Sequence, residues 1–274
     1  MRSSGSTASP RGSARFITVD GVRIRVKVRG SGPPLLLVMG LGGNIEMWDP
    51  LVAALRGHQT IAYDAPGTGE SDLPRGFLRP RGLAAVADRL VEGLGYGQVD
   101  VLGVSFGGGI AQQLAFQSPQ RVRKLVLAAT TCGVGGLPGN PLAMLALLTP
   151  LRYYSRRYLE MVAPHLYGGG ARRRDFLEQQ TLARLHRRPS LRGYFLQLSA
   201  AAGWSSLPFL GRIRQPTLVL AGDDDPIIPV FNGRLLARLI PDARLHVVRG
   251  GGHLFLLDRA RESAALIEEF LAET

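Results

Sequence analysis

The sequence predicts an α/β fold, a mostly parallel eight-stranded sheet wound by helices and interrupted by an inserted helical cap. Three observations lead there. Four runs, residues 35–39, 60–63, 99–104 and 125–129, are continuously apolar, as strands covered on both faces must be. Helix-like stretches near 48–55, 83–94 and 110–117 alternate with them, and that alternation implies right-handed crossovers between parallel strands. The rhythm stops at Thr131 and resumes at Pro216, with a strand at 217–221, a helix at 231–239, a strand at 244–248 and a terminal helix at 259–271.

The opening elements read differently. Over residues 22–29 apolar and basic side chains alternate strictly, which marks a strand with one buried face and one wet, charged face, suited to a sheet edge. It follows a strand at 16–20 across a turn at Gly21, so the two form an antiparallel hairpin. The interval 133–214 holds helix-prone pieces punctuated by Pro138, Pro141, Pro150, Pro164, Gly168 to Gly170 and Pro189. It is read as a cap above the carboxyl edge of the sheet, where ligands bind in open α/β folds. The domain reading is a tail at 1–14, a body at 15–132 and 215–274, and a cap at 133–214.

Composition narrows the function classes. A chain of 274 residues with 45% hydrophobic content can bury one large core. Residues 1–14 are rich in Ser, Gly and Arg and lack the apolar core of a secretory signal, so that tail is expected to be disordered. No uninterrupted apolar stretch is long enough to span a bilayer, and a soluble, cytoplasmic protein is expected. The formal charge of +12 comes almost wholly from arginine, since Lys27 and Lys124 are the only lysines among 33 basic residues. These arginines are scattered and no nucleic-acid motif accompanies them, so no nucleic-acid partner is expected. Arg156-Arg157, Arg172-Arg173-Arg174 and Arg187-Arg188 concentrate charge in the cap. They read as a solvated face, with docking onto an anionic granule or lipid surface as the alternative. The single cysteine, Cys132, excludes an internal disulfide, and five histidines show no metal-ligand spacing, so neither a metal nor another cofactor is expected.

The chemistry is carried by Gly103-Val104-Ser105-Phe106-Gly107, which lies between an apolar strand and a helix-like run. A chance match is conceivable in a chain with 35 glycines, but this context makes it a nucleophile elbow, with a serine hydroxyl projecting from a strained strand-to-helix turn. Serine needs a base, and the base needs an orienting acid. His253 follows Gly250-Gly251-Gly252 directly after a strand, so a flexible turn can carry its ring to Ser105. His58 precedes the elbow, His165 and His186 fall in the cap, and His246 lies within a strand. The strand at 217–221 delivers Asp223, Asp224 and Asp225. Asp225, before Pro226 and furthest beyond the strand, is preferred to Asp224, and the others are expected to bind turn amides. The Phe106 amide and the Leu41 amide, the latter in the loop Met39-Gly40-Leu41-Gly42-Gly43-Asn44, are the candidates for an oxyanion hole. That loop lacks the Lys-Ser/Thr ending of a phosphate-binding P-loop. The turn from Asp64 to Ser71 is read as scaffolding.

Longer stretches carry a resemblance. Tyr96 to Leu102 before the elbow, Gln112-Gln113 after it, Leu166-Tyr167-Gly168-Gly169-Gly170, Gln215 to Pro226, and Gly252-His253-Leu254-Phe255-Leu256 are similar to the intracellular medium-chain-length polyhydroxyalkanoate depolymerases of the α/β-hydrolase superfamily. The similarity runs from about Phe16 to the final helix. It implies the α/β-hydrolase fold, with Ser105, Asp225 and His253 as nucleophile, acid and base, and 3-hydroxyalkanoic acids or short oligomers as products. Phe106 stands where that family tends to have Trp, and the loop before His253 is one residue longer and richer in glycine. Apolar residues of the cap, with Met144, Trp204 and Phe209 as the chosen candidates among Leu142, Leu145, Leu147, Leu148, Tyr194 and Phe195, are expected to line a slot for alkyl side chains. A general carboxylesterase or lipase, a cofactor-free haloperoxidase or perhydrolase using the same three residues, and a non-catalytic module on the same fold are the rival readings.

Overall fold

The computed structural model describes residues 13–273; the expected tail at 1–14 lies outside them, save Ser13 and Ala14. Its sheet has eight strands in the order β1-β2-β4-β3-β5-β6-β7-β8. These are β1 (Arg15–Val19), β2 (Val22–Arg29), β3 (Pro34–Val38), β4 (Gln59–Tyr63), β5 (Val99–Val104), β6 (Val122–Ala128), β7 (Thr217–Gly222) and β8 (Ala243–Val248). The β1–β2 and β2–β4 pairings are antiparallel, and all others are parallel. Asp20 and Gly21 join β1 to β2 with φ of 51° and 74°, the left-handed pair a tight hairpin turn requires.

The helices are α1 (Asp49–Ala54), α2 (Pro80–Gly93), α3 (Phe106–Gln117), α4 (Pro141–Leu147), α5 (Arg156–Tyr167), α6 (Arg174–His186), α7 (Leu191–Ala201), α8 (Val230–Leu239), α9 (Phe255–Asp258) and α10 (Ala260–Ala272). Two core clusters explain the continuous apolar strands. Leu36, Val101, Leu127 and Val219 face α2, α3 and α8, whereas their neighbours Leu35, Leu102, Val126 and Leu218 face α1, α9 and α10. Successive side chains point to opposite faces, so a sheet covered twice needs an apolar residue at every position. Among the described residues, no helix is long and apolar enough to cross a membrane.

The hairpin departs from expectation in one respect. Strand β2 is second in the sheet rather than its edge, and its alternate face is not all wet. Arg25 is buried and ion-pairs with Glu46, with Asp64 at the end of β4, and with Glu70. Asp64 in turn accepts the amides of Ile45 and Glu70 at 2.8 and 3.0 Å. Burial alone would raise the Glu46 carboxyl, but the hydrogen bond and charge of Arg25 outweigh it and hold Glu46 below its ordinary value. The turn after β4 is scaffolding of this buried kind.

Helices α4 to α7 come between β6 and β7; Ala143 of α4, Leu159, Ala163 and Leu166 of α5 and Leu177 of α6 form a separate apolar cluster that closes on Ile227 in the loop after β7. The last stretch of the interval belongs with the body. Leu210 and Ile213 are fully buried in the cluster of α2, α3 and α8, and Phe209 stacks on Phe116 of α3 with ring centroids 4.4 Å apart.

The first turn of α3 runs hard against β3. A Cβ at Gly107 would sit 2.1 Å from the carbonyl oxygen of Val38 and 2.5 Å from that of Met39, and neither backbone atom can give way. Gly107→Ala is expected to cost about 1–3 kcal/mol of stability, read as a lower midpoint in urea denaturation with an unchanged slope.

Candidate active site

Ser105 sits between β5 and α3 with φ 56° and ψ −126°, a backbone conformation that L-residues adopt only under constraint. Its own amide donates to the Ala128 carbonyl at 3.0 Å, and its carbonyl accepts from Thr130 Oγ1 at 2.7 Å. Those bonds from β6 and the loop after it hold the turn. The side chain is thereby aimed away from the sheet.

His253 follows β8. Its amide donates to the Tyr167 carbonyl at 2.7 Å, so the chain before it must pass flush against the end of α5. A Cβ on Gly252 would lie 2.2 Å from that same carbonyl, which accounts for glycine there. The longer loop reaches: His253 Nε2 is 3.0 Å from Ser105 Oγ. On the other side His253 Nδ1 is 2.8 Å from Asp225 Oδ2. The second Asp225 oxygen accepts the amides of Ile227 and Ile228 at 2.8 and 2.9 Å, fixing the carboxylate in plane. Both Asp225 and His253 are buried.

The three aspartates divide as their positions require. Asp223 accepts the Gly250 amide. Asp224 accepts the Gly169 amide at 2.7 Å and pairs with Arg172, so it ties the acid loop to the insertion. Only Asp225 faces the imidazole.

Ser105 opens into a cavity of about 360 Å³, lined from the body by Leu41, Phe106 and His253 and from the insertion by Met144, Leu147, Tyr153 and Trp204. Gly40 abuts the serine, an added Cβ there meeting Ser105 Cβ at 3.1 Å. Among the described residues, the Leu41 and Phe106 amides find no acceptor, as donors reserved for an incoming oxygen would. Met144 and Trp204 line the cavity, but Phe209 does not; its ring is committed to Phe116 in the body core. Leu142, Leu145 and Phe195 face outward.

The sequence reading missed the residues that hold the loop from Met39 to Asn44. Gln197 Oε1 on α7 accepts the Gly42 amide at 2.9 Å, and the Tyr153 hydroxyl donates to the Leu41 carbonyl at 2.6 Å. Asn44 Nδ2 donates to the carbonyls of Ala183 and Arg187 at the end of α6, and Arg187 pairs with Glu70. The loop's conformation thus comes from the insertion. No local motif marks these contacts, because each spans more than a hundred residues of chain. Of the arginine runs, Arg187 is partly withdrawn from solvent by its link to Glu70, whereas Arg172 stays exposed while it pairs with Asp224.

A serine, an imidazole and a carboxylate in hydrogen-bonded line, beside two free amides, can carry out acyl transfer. A model of the Alpha/beta hydrolase family matches residues 35–266. The chain belongs to the α/β-hydrolase family. It is 45% identical over 263 residues to a poly(3-hydroxyalkanoate) depolymerase of Ectopseudomonas oleovorans, covering 94% of this chain and 92% of that protein. It is 32% identical to a 2-hydroxymuconate semialdehyde hydrolase of Pseudomonas putida, over 94% of each chain. The crystal structure of a Pseudomonas aeruginosa hydrolase superposes with a TM-score of 0.80 at 26% identity, covering 95% of this chain and 98% of that one. The family is one of hydrolases, and cleavage of a polyester is the activity named for the Ectopseudomonas oleovorans relative of this α/β-hydrolase.

Two outcomes test the site's supports. Gln197→Leu strands a buried amide, and is expected to lower stability by about 1–3 kcal/mol in urea titration. The Arg172 guanidinium holds the Asp224 carboxyl below the usual carboxylate range. A depressed folded-state value means that its stabilisation is present above the ordinary Asp value and fades as pH falls through the folded one. An NMR titration should find Asp224 low in the wild type and returning upward in Arg172→Ala.

Proposed function

We propose that this protein is a serine esterase that hydrolyses 3-hydroxyacyl polyesters of medium side-chain length through an acyl-enzyme. The observation that carries the reading is the 3.0 and 2.8 Å line from Ser105 through His253 to Asp225 at the floor of an apolar cavity. The near relative in Ectopseudomonas oleovorans supplies the substrate class.

His253 Nε2 accepts the Ser105 proton as Oγ attacks the ester carbonyl. The oxyanion accepts from the Leu41 and Phe106 amides, and Asp225 stabilises the imidazolium. His253 then gives its proton to the departing alcohol oxygen, and water repeats the sequence on the acyl-serine to release the acid. Alkyl branches rest against Met144, Leu147 and Trp204. The helices of the insertion, α4 to α7, act as the lid, and the exposed Leu142, Leu145 and Leu148 at its rim meet the surface of a storage granule in the cytoplasm.

Purified protein is expected to release 3-hydroxyoctanoate from amorphous granules. Ser105→Ala should lower turnover by about ten thousandfold or more. Asp225→Asn should lower it by about a thousandfold or more while Asp224→Asn loses less than about tenfold. Hydrolysis of soluble esters alone would make the protein a general carboxylesterase, and halide oxidation in acetate and peroxide would make it a perhydrolase. Failure of a fluorophosphonate probe to label Ser105 would remove the serine mechanism itself.

A further inference from the structure

Two buried cations in the cavity have no part in the mechanism above. Arg152 and Arg184 are each 2% exposed, and both line the cavity that holds Ser105 and His253. Among the described residues, neither forms an ion pair with a carboxylate. Their hydrogen-bond partners are uncharged. Arg152 Nη1 donates to the Tyr194 hydroxyl at 2.5 Å and the Thr149 carbonyl at 3.3 Å, and Arg184 Nη1 donates to the Tyr167 hydroxyl at 2.8 Å. Both guanidinium groups lie near the Tyr153 ring, at 4.8 and 5.6 Å from its centroid. Burial pushes the Tyr194 phenol up to about 12, although Arg152 pulls the other way, so it supplies no negative charge at neutral pH. The Nε of each arginine is buried without an acceptor.

Burying a guanidinium with no counter-charge is unfavourable, and two of them around one cavity are more so. Such a pair is retained where an anion completes it, and planar guanidinium donors match a carboxylate. We propose that Arg152 and Arg184 form a carboxylate subsite that takes the free acid end of the substrate, on the leaving-alcohol side of the scissile ester. The proposal rests on the polyester reading. A 3-hydroxyacyl polyester is uncharged along its length and carries one carboxylate per chain. The acyl side of every ester ends in a hydroxyl, so that carboxylate always lies on the alcohol side. The placement agrees: Arg184 packs over the Tyr167 ring at 4.9 Å, and that ring stacks against His253, the group that returns a proton to the leaving alcohol. Arg152 Nη2 points to the Leu41 carbonyl at 3.5 Å, one peptide unit from an amide proposed to receive the oxyanion. An enzyme so built works inward from the carboxyl terminus and sheds short hydroxy acids.

The test begins in Ser105→Ala protein, which keeps the cavity and cannot turn substrate over. Calorimetric titration should show 3-hydroxyoctanoate binding at least about tenfold more tightly than 3-hydroxyoctanamide. The preference should fall to within about twofold in a second substitution, Arg184→Gln, and survive in part in Arg184→Lys. Equal affinity for acid and amide in the Ser105→Ala protein overturns the subsite with no arginine variant required. In the wild type, the free-acid dimer of 3-hydroxyoctanoate should exceed its methyl ester about tenfold in kcat/KM. Equal rates for the two dimers, with acid-selective binding, would make the pocket a product site and overturn the chain-end assignment. Turnover of p-nitrophenyl octanoate with cleavage of neither dimer would remove the polyester reading, and the chain end with it, while leaving the ester chemistry standing.

Discussion

The approach of α3 to β3 is the constraint on which the rest of the site depends. Because Gly107 lets the helix begin within van der Waals contact of the Val38 and Met39 carbonyls, the chain has no room to turn gradually. It must bend at one residue, and Ser105 takes the positive φ. That strain is offset by bonds to Ala128 and Thr130 on the neighbouring strand and loop. The same bend leaves the Phe106 amide at the start of a helix, where it has no intrahelical acceptor. One steric fact therefore sets the hydroxyl, a donor beside it, and the direction from which a substrate arrives.

Around that fixed point the supports differ in kind. On the acid side, short loops after β7 and β8 suffice, since parallel neighbours deliver Asp225 and His253 to the same sheet edge. On the oxyanion side, the loop after β3 has few bonds of its own and borrows its shape from Tyr153, Gln197 and the end of α6. The buried Arg25 group works beneath it, joining β2, the end of β4 and the turns before α1 and after β4 through Glu46, Asp64 and Glu70. Glu70 also takes Arg187, so body and insertion share one chain of charges.

What could be read from sequence followed from local rules. Continuous apolar runs gave the parallel strands to within three residues at each end, and glycine-flanked Ser105, with Asp225 and His253 after their strands, reported their own backbone needs. Long-range partners were illegible. Nothing near Arg25 announces that three acids from later segments close over it, so its alternation read as a wet face. Phe209 looked like cavity lining because aromatic residues suit both a pocket and a core, and only its stacking on Phe116 decides. Arg152 and Arg184 were hidden among the 33 basic residues, since burial of a cation depends on what folds around it.

The insertion is fastened along both banks of the cavity: to the oxyanion loop through Tyr153 and Gln197, and to the acid and base loops through Gly169, Arg172 and Tyr167. A cover tethered on two sides behaves as a bridge and not as a hinged door. Raising it would break these links, so an incoming ligand is better served by threading under the span than by waiting for the roof to lift.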